Sequence, residues 1–318
     1  MKKLLLLMAA LIWGVAFVAQ SVGMDYMGPF TFNGARFLMG SAVLVPVIFF
    51  RKRFRSAGEE QQACQNNEKH QVLRQTQNEG NGGKKTALIG GICCGLALCP
   101  AALFQQFGIL YTTVGKAGFI TTLYIILVPI AGIFMKKAPS GKVWIGAALA
   151  AFGFYLLCIN EGFTLSRGDG LVFIGSILFT VHILVIDYFS PKADGVEISC
   201  VQFLTAGVIS SILAFVFEKP ELSGLAEGII PLAYAGIMSS GVAYTLQVIG
   251  QRDTEPAVAS LLLSMESVFS LLAGWMILGQ ALSPRELMGC GLVFGAVILV
   301  QLPGNKKLGY KDVMKKSK

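Results

Sequence analysis

Residues 4–22, LLLLMAALIWGVAFVAQSV, run for nineteen positions without a charged side chain. A helix rises about 1.5 Å per residue, so the stretch covers roughly the 30 Å of a bilayer's hydrocarbon core. Outward from it, nine more apolar stretches lie between short polar breaks, at about 30–50, 86–109, 113–135, 142–159, 170–188, 198–217, 228–249, 256–279 and 286–302. Across its 318 residues the chain is 54% hydrophobic and only 14% charged, with a mean hydropathy of +0.65. Soluble domains carry about 25% charged residues. The deficit excludes a soluble enzyme, a nucleic-acid-binding domain and a disordered tail protein. The expected fold is an all-α polytopic membrane protein with ten transmembrane helices.

The opening Met1-Lys2-Lys3 before an apolar run resembles a signal peptide. Its run is long enough to span and nine more follow, so it is expected to stay as the first helix. Ten crossings put both termini on one side. With the termini in the cytoplasm, 21 of the 26 Lys and Arg fall on the cytoplasmic side. Only Arg167, Lys219 and Arg285 fall outside, and Arg36 and Lys116 lie within spans. That bias matches the positive-inside rule and accounts for the net charge of +8 without nucleic acid. It also adds attraction to anionic lipid.

The seven cysteines (64, 93, 94, 99, 158, 200 and 290) form no metal-binding spacing, and six sit in apolar stretches. They read as small packing residues rather than a disulfide framework. Residues 51–85 are rich in Gln, Asn, Glu, Lys and Gly without a periodic apolar face. That composition predicts a flexible cytoplasmic linker. Gly83-Lys84 and Gly115-Lys116 lack the upstream glycine of a phosphate-binding loop, so no ATP site is expected. No cofactor and no metal site is expected either.

The two halves of the chain are related. Ala35-Arg36-Phe37-Leu38 recurs as Val201-Gln202-Phe203-Leu204, 166 positions later. Gln105…Gly108 recurs as Gln247…Gly250, and Thr122-Leu123-Tyr124 faces Ser264-Met265-Glu266, both 142 positions later. Each half supplies five spans. Five is odd, so the second copy enters the membrane inverted, the arrangement behind many secondary transporters.

These stretches resemble the EamA-type branch of the drug/metabolite transporter superfamily over nearly the whole chain. In the first repeat the resemblance rests on LIWGVAFVAQ with Trp13, ARFL with Arg36, and TTVGKAGFITTLYIILVP at 112–129. In the second it rests on GVAYTLQVIGQRDT at 241–254, ASLLLSMESVFSLLAGWMILGQALS at 259–283 and the closing GCGLVFGAVIL. The chain departs from the family at Glu266-Ser267, where Glu-Pro is common, and at Gln280, where an acidic residue is common. The resemblance implies repeat 1 over 1–50 and 86–160, split by the 51–85 linker, then repeat 2 over 168–303 and a basic tail over 304–318. It further implies a ten-helix basket moving small organic solutes, commonly outward across a bacterial inner membrane.

Ionisable groups at membrane depth are costly and default to functional candidates. Arg36 either clamps a substrate carboxylate or bonds backbone carbonyls and snorkels outward. Its repeat partner Gln202 keeps hydrogen-bonding ability without the charge. Glu266 is the most interior charge. It either exchanges protons as a coupling group or stays paired, with Lys116 or Arg36, holding two helices together. Lys116 reads as a snorkelling residue or as an attractor of anionic substrate. His182 reads as a satisfied buried imidazole or as a proton relay, and Asp187 as reaching water. Trp13, Tyr124, Tyr244, Gln105, Gln106 and Gln247 are expected to line a polar-aromatic cavity suited to amino acids or aromatic metabolites. Gly91/Gly95 and Gly291/Gly295 have the spacing of close helix packing. The expected function is export of small metabolites by alternating access with protons as coupling ion. The other reading is a membrane enzyme acting on lipid, which needs His182, Glu266 and Asp187 to meet at one interface.

Overall fold

The computed structural model describes residues 2–65, 69–135, 139–158, 166–279 and 283–301, and these contain helices and turns but no strand. The first half holds α1 (Lys2–Gly23), α2 (Pro29–Gln65), α3 (Lys69–Ile109), α4 (Val114–Thr121), α5 (Tyr124–Phe134) and α6 (Gly141–Cys158). The second half holds α7 (Arg167–Phe189), α8 (Gly195–Phe217), α9 (Leu222–Glu227), α10 (Ile229–Ala233), a π-helical stretch (Tyr234–Tyr244), α11 (Thr245–Gln251), α12 (Pro256–Leu263), α13 (Met265–Leu278) and α14 (Pro284–Gln301). Eight segments among the described residues are long and apolar enough to cross a bilayer. Two shorter apolar helices, Gly141–Gly153 and Leu287–Val300, stand where the fifth and tenth crossings are expected.

Polarity runs opposite to that of a soluble protein. His182, Gln202, Ser176 and Ser210 are fully buried, while Phe134, Phe215, Phe217 and Met276 turn more than two thirds of their surface outward. Such an apolar exterior would aggregate in water. In a bilayer it is the favourable outer layer, because lipid supplies no hydrogen bonds and polar groups must find partners inside.

The second repeat is inverted, as helix ends show. Arg51, near the membrane exit of α2, forms a two-bonded pair with Asp194 at the start of α8 (3.2 and 3.0 Å). At the far end, the Glu218 carboxylate that follows α8 accepts from the backbone N–H groups of Phe30 and Thr31 and from the Thr31 hydroxyl. These repeat-related helices therefore lie antiparallel. Two residues touch their own repeat counterparts across the pseudo-two-fold axis. Phe37 stacks on Phe203 at 6.1 Å, and Tyr124 donates to Glu266 at 2.9 Å.

The fourth span of each repeat is broken, which apolar periodicity did not foretell. α4 ends at Thr121 and α12 at Leu263, which are equivalent positions. At each break a hydroxyl bonds back to a carbonyl three residues earlier, Thr122 to Phe119 and Ser264 to Leu261, both at 2.8 Å. The backbone tightens there to three-residue turns, with Ile125 N–H reaching the Thr122 carbonyl and Ser267 N–H the Ser264 carbonyl. Hydroxyls compete with the helical ladder, so α12 and α13 are separated at Ser264 although no proline follows Glu266.

Two further expectations change. The segment 51–85 is predicted as a linker, yet α2 runs on to Gln65 and α3 begins at Lys69, leaving 66–68 outside the described residues. Gln, Glu, Lys, Arg and Ala are strong helix formers, and the segment has no proline to stop helices propagating from the two spans. Gly91 and Gly95 do pack closely, against Val201 and Thr205 of α8. Gly291 and Gly295 have open space around them instead, while Gly146 and Gly153 on α6 provide the close approach to α14. The basic tail 304–318 and Gln280 lie outside the described residues.

Candidate functional site

The broken helices, α1, α2, α3, α7, the π-helical stretch and α11 together line one cavity. Its lining comes in repeat-related pairs: Trp13 with Phe179, Phe17 with Ile183, Gln105 with Gln247, Thr121 with Leu263, and Tyr124 with Glu266. The cavity therefore straddles the pseudo-two-fold axis.

Eight residues expected from sequence meet here: Trp13, Arg36, Gln105, Tyr124, His182, Tyr244, Gln247 and Glu266. Three others do not line it. Gln106 faces α1, where its amide donates to the Gln20 carbonyl at 3.1 Å. Lys116 sits at the start of α4 within electrostatic reach of Asp169. Gln202 stands one layer back, its Oε1 3.0 Å from His182 Nε2.

Arg36 is 1% exposed, and among the described residues its guanidinium has no hydrogen-bond partner. It lies 4.6 Å over the Phe37 ring, a cation–π contact that leaves its donors free. Glu266 is 4% exposed and forms no ion pair among the described residues with either cation weighed for it. Its Oε1 accepts the Tyr124 hydroxyl, linking α13 to α5. Glu266 lies in the first turn of α13, where the helix dipole favours a negative charge. Tyr244 stands within electrostatic reach of both Arg36 and Glu266. Its ring packs 4.5 Å from Trp13 and 5.9 Å from His182. The Trp13 indole N–H donates to the Ser239 carbonyl at 3.2 Å.

The sequence reading missed Phe17, Gln20, Thr121, Phe179, Ile183, Ser239 and Leu263. Most carried a signal: Trp13, Phe17 and Gln20 share one helical face, as do Thr121 and Tyr124. Ser239 carried none, because a π-helical stretch rotates side chains off the ordinary helical period.

Asp187 lies apart, with Glu255 and Pro256, on a second cavity. Burial, and then the Asp187 charge, push the Glu255 carboxyl above its ordinary range. His182, Glu266 and Asp187 thus do not converge on one interface.

A family model described as "EamA-like transporter family" matches the chain twice, over residues 2–159 and 166–302. An uncharacterized transporter of Archaeoglobus fulgidus is 28% identical over 298 residues, covering 93% of this chain and 84% of its own. The uncharacterized inner membrane transporter YedA of Escherichia coli is 25% identical, covering 92% and 88%. The uncharacterized transporter YwfM of Bacillus subtilis is 22% identical, covering 96% and 95%. A crystal structure at 19% identity shares the fold with a TM-score of 0.66, over 92% of this chain and 96% of that one.

Proposed function

We propose that this chain, which belongs to the EamA-like transporter family, exports small organic metabolites, amino acids or related compounds, across a bacterial inner membrane by alternating access. In this reading both termini are cytoplasmic and protons are the coupling ion. The observation that carries the proposal is the cavity at the junction of two inverted repeats, with a buried, unpartnered Arg36 on its wall. A buried charge without a counter-ion costs several kcal/mol, and a substrate carboxylate supplies that counter-ion. A guanidinium takes a carboxylate through two parallel bonds. Trp13, Phe17, Phe179 and Tyr244 offer apolar and aromatic surface to the rest of the substrate.

Glu266 supplies the coupling. Its only bonded neighbour among the described residues is Tyr124, its own repeat counterpart, so the link lies across the pseudo-two-fold axis. A carboxylate accepts that hydroxyl strongly, whereas a protonated carboxyl is a weaker acceptor with a proton of its own to place. Proton uptake therefore alters the tie between the two broken helices, and the repeats re-pack toward the other side.

The test is flux of radiolabelled L-phenylalanine in proteoliposomes of the full chain under an imposed pH gradient. Gradient-driven movement should exceed that of protein-free liposomes, and Glu266→Gln should abolish the gradient response while retaining exchange. A variant that keeps the full gradient response removes Glu266 from the coupling role.

A further inference from the structure

The inverted repeat places two polar positions on each side of the axis, and in each pair one member is tied by a neighbour from its own repeat while the other is not. In the first pair, Gln105 donates to the Thr121 hydroxyl at 3.0 Å. For its counterpart Gln247, the position equivalent to Thr121 is Leu263, which also lines the cavity and has no hydroxyl. The Gln247 amide, 2% exposed, has no hydrogen-bond partner among the described residues, and its Oε1 is fully enclosed. In the second pair, Gln202 is bonded to His182 at 3.0 Å. Its counterpart is Arg36, and the position equivalent to His182 is Ala16, fully buried and without a polar atom in its side chain. Arg36 is left untied.

We infer that Arg36 and Gln247 are the two side chains that read the substrate's polar groups, and that Leu263 and Ala16 determine specificity by leaving them free. The inference rests on reading the cavity as the substrate site, and it deepens that reading. A buried amide or guanidinium without a partner is expensive. Both pairs show that this chain can tie such a group locally, with one bond to Thr121 or to His182, and does so in only one copy, although Gln202 Nε2 and His182 Nδ1 stay buried without a partner among the described residues. Arg36 and Gln247, the copies without that local tie, each line the cavity. The substrate chemistry follows: an oxyanion for the Arg36 fork and an adjoining hydrogen-bonding group for the Gln247 amide, on a body with apolar or aromatic surface. His182 and Thr121 become positioning residues that tie the duplicate groups.

The experiment moves the tie. Leu263→Thr offers Gln247 the hydroxyl that Thr121 offers Gln105, and Leu263→Val removes the same bulk without a hydroxyl. Both are made in the full chain carrying Trp144→Phe and Trp275→Phe, so that Trp13 fluorescence reports the cavity. The probes are L-phenylalanine, 3-phenylpropionate and phenethylamine. L-phenylalanine should bind the Thr variant about three- to tenfold more weakly than the Val variant, the range of one net hydrogen bond. Phenethylamine, without an oxyanion for Arg36, should bind the parent protein at least about tenfold more weakly than L-phenylalanine. Equal affinity of the Thr and Val variants overturns the role of Gln247, and equal affinity for the two probes overturns that of Arg36. If no probe perturbs Trp13, this inference fails, while gradient-driven flux still decides the transport reading separately. Should Leu263→Thr not fold, Thr121→Val unties Gln105 and should tighten 3-phenylpropionate about threefold, an unchanged affinity counting against the inference.

Discussion

The Tyr124 hydroxyl bonded to Glu266 links the two halves on the cavity wall. Tyr124 is 3% exposed and the carboxylate has no other bonded neighbour among the described residues, so the bond carries the cost of burying Glu266. Tyr124→Phe keeps the ring and removes the donor. Its expected effect is a loss of about 1–3 kcal/mol of stability, seen as a lower Tm of the detergent-purified chain, the range for leaving a buried hydrogen-bonding group unsatisfied. An unchanged Tm would mean that Glu266 is satisfied by other means. Glu266 and Arg36 were legible as candidates from sequence because charge at membrane depth stands out against the apolar background. That neither pairs with the other was not legible, since pairing depends on which way two side chains on different helices point.

The segments Val114–Phe134 and Pro256–Ile277 are each long enough to span, and hydropathy alone presents each as one rod. Their breaks come from Thr122 and Ser264 bonding back along the chain, and the signal is two hydroxyl residues among many. Close packing likewise depends on which glycines face a neighbour. A methyl group at Gly14 would overlap the Cβ and backbone of Phe269, whereas one at Gly291 meets nothing within 4 Å. Gly14→Ala should therefore push α1 from α13 and cost about 1–3 kcal/mol, as overpacked interiors do. Gly291→Ala should be neutral or gain up to about 1 kcal/mol from helix propensity. The two Tm values, measured side by side, check the contrast, and a similar shift for both would contradict the packing described. Spacing alone made Gly291/Gly295 look equivalent to Gly91/Gly95. Only the neighbours distinguish them.

Across the whole molecule, α2 and its inverted counterpart α8 are fastened at both ends, by unequal means. At one end the Arg51–Asp194 pair is half exposed, with side chains 54% and 39% accessible. At the other, Glu218 takes two backbone N–H groups that begin α2, where Gly28 brings no side chain to cap them. Water and salt weaken the first fastening, while the second replaces a helix cap that the local sequence lacks. Glu218→Gln should thus cost about 1–2 kcal/mol, and Arg51→Ala less than about 1 kcal/mol, by the shift in thermal unfolding. A larger loss for Arg51→Ala would reverse this ranking.

The amino-acid sequence by itself determined the solvent this protein folds in, the number of its apolar stretches and the duplication of its halves. Hydropathy, charge bias and repeat spacing are sums over many residues, so single exceptions do not disturb them. The tertiary structure alone decided where the spanning helices break, which glycines meet a neighbour, and which of two equivalent polar groups is left without a partner. Those outcomes turn on individual side chains meeting between helices, as where the Gln105 amide bonds the Thr121 hydroxyl while Gln247, its counterpart, has no partner among the described residues.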